Sequence, residues 1–149
     1  MTFYRRNLPH IEKPGSTYYV SFSTREHFYL PGEARTLIFE HCLYENGRTV
    51  RMHAFVVMPD HVHMLFTPLE KEPEIYYTLA KIMNGIKGAS VHSVNKLLER
   101  KGTLWEPESF DRIVRTDSGF WRWKLYIIGN PITAGLAKGP GEYKWCWQE

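Results

Sequence analysis

Cysteine is scarce in this chain: two in 149 residues, Cys42 and Cys146. Their spacing fits no zinc-ligand pattern, and a single pair builds no disulfide framework, so both are expected as reduced thiols, with Cys42 buried on a helix. No apolar run approaches the ~20 residues of a membrane-spanning helix. Met1-Thr2-Phe3-Tyr4-Arg5-Arg6 lacks the apolar region of a signal peptide, so a cytoplasmic protein with no membrane partner is expected. Excess charge of one sign is small, a net +3, which permits nucleic-acid binding without requiring it. Internal repeats and low-complexity linkers are also missing. With 43% hydrophobic and 23% charged residues, the composition excludes disorder and suits a core-bearing fold. One domain over residues 1–149 is therefore expected, with a basic arm over residues 1–15 and a tail over residues 132–149.

Aromatics, by contrast, are plentiful at 15%. Among basic residues they can stack on unpaired bases, although core and rim positions account for most. Residues 16–24 (STYYVSFST) are β-branched and aromatic and read as a first strand. Residues 33–46 carry Ala34, Leu37, Ile38, Cys42 and Leu43 at a helical period, which ends at Asn46-Gly47. Residues 50–58 and 61–67 read as a hairpin turning at Pro59-Asp60. After a charged loop at residues 68–73, residues 74–100 have a helical period with an interruption expected near Gly85 and Gly88. Residues 109–115 (SFDRIVR) read as a fourth strand. Asp117 or Ser118 can cap a last helix through Trp121, Trp123, Leu125 and Ile128, which Asn130-Pro131 ends or breaks. This order predicts an α+β, ferredoxin-like sandwich: an antiparallel central sheet with helices on it and a C-terminal helix over the open face.

The chemistry-bearing run is Met58-Pro59-Asp60-His61-Val62-His63-Met64-Leu65-Phe66. Along a strand His61 and His63 share one face, roughly 7 Å apart at Cα, and can converge on one divalent cation. They can equally be strand histidines bonded to neighbours, since the pattern alone is common. A catalytic metal site needs a third protein ligand and open positions. Asp60 is read as shaping the turn. The candidate third ligand is Asn130, which shares a helix face with Tyr126 four residues earlier. On local grounds Tyr126 also fits a packed aromatic, and Asn130 a helix terminator.

The Met-Pro-Asp-His-Val-His run, followed at this distance by Tyr126-Ile127-Ile128-Gly129-Asn130-Pro131, resembles the REP-associated tyrosine transposases. These are relatives of the single-tyrosine HUH transposases (IS200-like) of small bacterial insertion sequences. The resemblance spans most of the chain. It includes Arg5-Arg6-Asn7-Leu8-Pro9-His10, Tyr18-Tyr19-Val20-Ser21-Phe22, Ile86-Lys87-Gly88, Asn95, Trp105, Phe110-Asp111-Arg112, Arg115 and Ala134-Gly135-Leu136.

The resemblance implies that His61, His63 and Asn130 hold Mg²⁺ or Mn²⁺ and that Tyr126 is the nucleophile. The implied activity is a DNA-cleaving and -rejoining transposase, acting on single-stranded or hairpin DNA through a 5′-phosphotyrosine, with a nucleoid-associated location. The same resemblance favours a monomer, with a dimer as the alternative. Arg5, Arg6, Lys87, Arg112 and Arg115 are candidate DNA contacts. Lys87 is also the one basic group considered as a general base. Trp105, Trp121 and Trp123 are candidate stacking residues, with core packing expected for at least two. Two departures stand out: Glu106 replaces a frequent glutamine after the tryptophan, and Tyr143-Lys144-Trp145-Cys146-Trp147 differs from the usual Tyr-x-Trp-Ser-Ser ending. Two rival readings are a domesticated hairpin-binding protein with weak or no cleavage, and an unrelated metal hydrolase.

Overall fold

Alternation of side chains along residues 17–23 gives the sheet its two faces. Tyr18, Val20 and Phe22 point one way, and Tyr19, Ser21 and Ser23 the other. In the computed structural model, which describes residues 12–149, these residues form β1 (Thr17–Ser23). The expected DNA contacts Arg5 and Arg6 lie outside the described residues, as does most of the expected arm. The chain continues through α1 (Gly32–Glu45), β2 (Val50–Val57) and β3 (His61–Pro68). A small hairpin, β4 (Glu70–Glu72) and β5 (Ile75–Tyr76), leads to α2 (Leu79–Leu98), β6 (Phe110–Val114), α3 (Asp117–Thr133) and β7 (Cys146–Gln148).

The large sheet has the order β6-β1-β3-β2-β7, with every neighbouring pair antiparallel. The first four of these strands have the ferredoxin-like arrangement expected from the element order. One face carries Tyr18, Val20, Phe22, Phe55, Val57, Val62, Met64 and Phe66, packed with Ile38 and Cys42 of α1 and Ile82, Met83 and Ile86 of α2. Each fully buried side chain of this kind contributes about 2 kcal/mol. The other face carries Tyr19, Ala54, Val56 and Leu65, covered by Ile127, Trp123 and Phe120 of α3.

The structure corrects four expectations. α2 runs unbroken through Gly85 and Gly88, because Leu79, Ile82, Met83, Ile86, Ser90 and Val94 bury one continuous face that outweighs about 1 kcal/mol per glycine. α3 is capped by Thr116, whose hydroxyl accepts from the Gly119 amide at 3.0 Å, rather than by Asp117 or Ser118. It also continues past Asn130-Pro131 to Thr133, with Pro131 buried inside it. The charged loop of residues 68–73 carries β4, which pairs with β5 in residues expected to open the helix.

The tail, finally, folds back on the sheet. β7 pairs with β2, and the Val57 amide donates to the Trp145 carbonyl at 2.9 Å. Gly32 opens α1 where Trp145 crosses it; a Cβ there would stand 3.3 Å from the indole.

Candidate active site

β3 delivers His61 and His63 to the face covered by α3, with ring centroids 4.7 Å apart and planes at 89°. Cross-strand pairing sets Ser21 opposite His63 on one side and Val56 on the other. Each imidazole has its Nδ1 occupied. That of His61 lies 2.7 Å from Oδ1 of Asp60, and that of His63 lies 2.5 Å from the Tyr19 hydroxyl. Nε2 of His63 is buried and has no hydrogen-bond partner among the described residues. Such an orphan costs about 1–3 kcal/mol unless something else satisfies it. An imidazole pair with both Nδ1 atoms held and a bare buried Nε2 is the donor arrangement of a metal site. The residues therefore fit a divalent cation.

Burial, reinforced by the neighbouring His61, pushes the His63 pKa down to about 3. His63 is thus neutral across ordinary pH, the form that ligates. Burial also raises the Tyr19 phenol to about 12. Burial alone would raise Asp60 too, but its hydrogen bonds with His61 and His27 outweigh this and hold the carboxyl below the usual range. No group of three or more His, Cys, Asp or Glu side chains converges among the described residues. Among the described residues, any third protein ligand would be of another residue type.

α3 brings Tyr126 to the pair. The Phe120, Trp123 and Ile127 side chains face the sheet at helical spacing, and Trp123 stacks on Tyr19 with centroids 3.9 Å apart and planes at 13°. Tyr126 sits on the flank of that stripe, 49% exposed. Its ring lies edge-on to His63 at 5.5 Å, to Tyr19 at 6.2 Å and to Trp123 at 5.8 Å. A half-exposed phenol thus stands beside a buried imidazole from a distant strand. Asn130 is half-buried one helical turn further along α3, and its carboxamide makes no hydrogen bond among the described residues.

The remaining expected residues are placed differently. Lys87 does not reach a surface where a phosphate could meet it. It is 0% exposed, and its ammonium donates to the Glu106 carbonyl at 3.0 Å and lies 3.4 Å from the Ser109 hydroxyl. Arg112, exposed on β6, pairs across the sheet with Tyr19 and stacks its guanidinium 4.2 Å from the Phe110 ring centroid. Arg115 is exposed just beyond that strand. Trp105 is a core residue bonded to Ser90 at 2.9 Å, and Trp123 packs on Tyr19, whereas Trp121 is 55% exposed. Sequence reasoning missed Tyr19 and the Asp60 side-chain contact. A carboxylate directly before a candidate histidine ligand was the available signal for Asp60. Nothing local marked Tyr19.

The α+β sandwich itself has known counterparts. A solved structure of a REP-associated tyrosine transposase bound to a REP hairpin shares this fold, with a TM-score of 0.77 and 17% identity over 95% of this chain and 82% of that one. A proposed transposase from Deinococcus radiodurans R1 superposes with a TM-score of 0.50 and 19% identity, over 83% of this chain and 95% of that one. The sequence model described as Transposase IS200 like matches residues 26–127, and the chain belongs to that family. The matched segment contains His61, His63 and Tyr126 and ends before Asn130. No curated protein is similar enough to count as a match.

Proposed function

We propose that this transposase-family chain is a divalent-metal-dependent single-strand DNA endonuclease and strand transferase. Its substrate is hairpin DNA of the repeated-palindrome type, and its role is DNA transposition or repeat-element processing. The observation that carries the reading is the edge-on approach of Tyr126 to His63, whose buried Nε2 has no partner among the described residues. Family membership supports DNA cleavage, and the hairpin bound by the structural neighbour supports the substrate class.

His61, His63 and the Asn130 carboxamide would hold Mg²⁺ or Mn²⁺. When bound, the cation supplies Lewis acidity at the scissile phosphate. Tyr126 gives up its phenolic proton to solvent and attacks phosphorus, and the departing O3′ takes a proton back from solvent. The Tyr126 Oη–P bond forms as the P–O3′ bond breaks, releasing a 3′-hydroxyl and leaving the 5′-phosphate on the tyrosine. Attack by a 3′-hydroxyl on that ester reverses the exchange and rejoins strands without ATP. Half exposure suits Tyr126 to this role, since the nucleophile must meet a strand from solvent. Exposed Arg112 and Arg115 on the β6 side would hold phosphates. The chain acts as a monomer with its tyrosine helix in cis, in the cytoplasm at the nucleoid.

The test is incubation with labelled single-stranded hairpin DNA and Mn²⁺ or Mg²⁺, followed by a denaturing gel. A covalent adduct that vanishes in Tyr126→Phe is expected. Hairpin binding with no adduct over a range of substrates would instead identify a binding protein that has lost cleavage. Cleavage persisting in Tyr126→Phe would point to a metal hydrolase.

A further inference from the structure

The turn before His61 is held by three backbone amides and a hydroxyl. The Thr24 amide donates to the Asp60 carbonyl at 2.9 Å, and the Thr24 hydroxyl reaches the same oxygen at 3.2 Å. The Leu30 amide donates to the Pro59 carbonyl at 2.7 Å, and the Met58 amide to that of His61 at 2.7 Å. Residues 24–30, between β1 and α1, thus wrap the Pro59-Asp60 turn. From that turn one carboxylate meets two imidazoles: Oδ1 lies 2.7 Å from Nδ1 of His61, and Oδ2 lies 3.3 Å from Nδ1 of His27. Glu26 and His27 both have left-handed backbone, at φ 53° and 54°. For residues other than glycine this backbone is strained, and such strain clusters at functional sites.

We infer that Asp60, clamped by the 24–30 loop and braced by His27, is a positioning residue that fixes the ring of His61 with Nδ1 protonated and Nε2 free for a divalent cation. The inference rests on the reading of His61 and His63 as metal ligands. An ionised carboxylate only accepts hydrogen bonds, so the proton between Asp60 and His61 must reside on Nδ1. That leaves the Nε2 lone pair bare, the tautomer a ligand requires. At His63 the partner is a phenol, which can give or take a hydrogen bond and therefore fixes no tautomer. Of the two imidazoles, His61 is the one whose ligating form is set in advance. A residue serving only the turn would not need its side chain on either ring, and asparagine would serve such a turn equally well. Asp60→Asn therefore separates the two roles.

The experiment titrates Mn²⁺ into the full chain and follows the free ion by electron paramagnetic resonance. Wild type is compared with His61→Ala, Asp60→Asn and His27→Ala, and the melting midpoint and hairpin binding in EDTA are measured on each. Asp60→Asn is expected to weaken Mn²⁺ binding about 10–100-fold with midpoint and hairpin binding unchanged. His27→Ala is expected to weaken it about twofold, the scale of an exposed ion pair. If Asp60→Asn binds Mn²⁺ as wild type does while His61→Ala does not, the ligand reading stands and the positioning role is overturned. If wild type fails to bind, or His61→Ala binds equally well, the ligand reading falls and takes the inference with it. Should Asp60→Asn also melt early, His27→Ala decides, since it leaves the turn's backbone bonds intact: unchanged Mn²⁺ binding there overturns the positioning of His61 by an Asp60 that His27 braces.

Discussion

The hydroxyl of Tyr19 lies 2.5 Å from Nδ1 of His63, and the same ring stacks on Trp123 of α3 at 3.9 Å. One side chain of β1 therefore touches both the candidate metal ligand and the helix that carries the candidate nucleophile. Tyr19→Phe keeps the stack and removes the hydrogen bond, leaving His63 with no described partner on either ring nitrogen. A stability loss of about 1–3 kcal/mol is expected. Mn²⁺ affinity should fall about 10–100-fold, as for lost outer-shell partners elsewhere. Urea unfolding and calorimetric Mn²⁺ titration check the two numbers, and unchanged affinity would separate Tyr19 from the ligand role of His63.

Tyr126 and Trp123 should respond in opposite ways. The Tyr126 phenol is half-exposed and makes no hydrogen bond among the described residues, so Tyr126→Phe is expected to change stability by less than about 0.5 kcal/mol. Adduct formation should nevertheless disappear. Trp123→Ala removes the stack that seats α3, and about 2–3 kcal/mol of stability should go with it. Its adduct yield should fall further than its hairpin affinity, because the loss acts through the position of Tyr126. Equal losses in both would mean that Trp123 acts as a DNA contact.

Much of this arrangement is legible in the chain because it follows short periods. Alternation in residues 17–23 and 61–67 gives strands with two dissimilar faces, which is enough to put His61 and His63 together. Four-residue spacing puts Tyr126 and Asn130 on one helix. What stayed hidden depends on partners far away in sequence. Cys146-Trp147-Gln148 is too short to read as a strand until β2 offers it an edge. Gly85, Gly88 and Pro131 look like breaks, yet the buried faces of α2 and α3 carry the helices through them. Lys87 reads as a surface cation, and only the packing around Phe22, Glu106 and Ser109 shows its stem and ammonium enclosed. Asp60 reads as a turn residue because its contact with His61 depends on a rotamer, which no spacing rule supplies.

Arg35 ties the C-terminal strap to the body of the fold. Its guanidinium donates to the Leu30 carbonyl at 2.8 Å, the Tyr29 hydroxyl at 2.8 Å and the Tyr143 hydroxyl at 3.4 Å, and lies 4.3 Å from the Trp145 ring centroid. Lysine has neither the planar fork nor the flat face for these contacts. Arg35→Lys is expected to cost about 2 kcal/mol, read by urea unfolding. The amides of β7 should also exchange with solvent faster in Arg35→Lys than in wild type. Protection of β7 equal to wild type would show that strand pairing alone holds the strap.

Lys87 makes a prediction about pH. Burial, only partly countered by the Glu108 and Glu106 carboxylates, lowers its amine from the ordinary 10.5 to about 8. In the unfolded chain the amine keeps its proton up to about pH 10.5. Between pH 8 and 10.5 the unfolded state thus binds more protons than the folded one, and stability gains a contribution that rises with pH. Below pH 8 both states are charged, and the cost of burying the ammonium is felt in full, on the order of 3 kcal/mol. Lys87→Met cannot titrate and lacks this slope, although it also leaves the Glu106 carbonyl without its donor. The stability of wild type minus that of Lys87→Met, from urea melts at pH 7.5 to 10.5, should therefore climb with pH towards about 3 kcal/mol in total. A difference that stays level across that range would mean the Lys87 amine titrates normally in the folded protein.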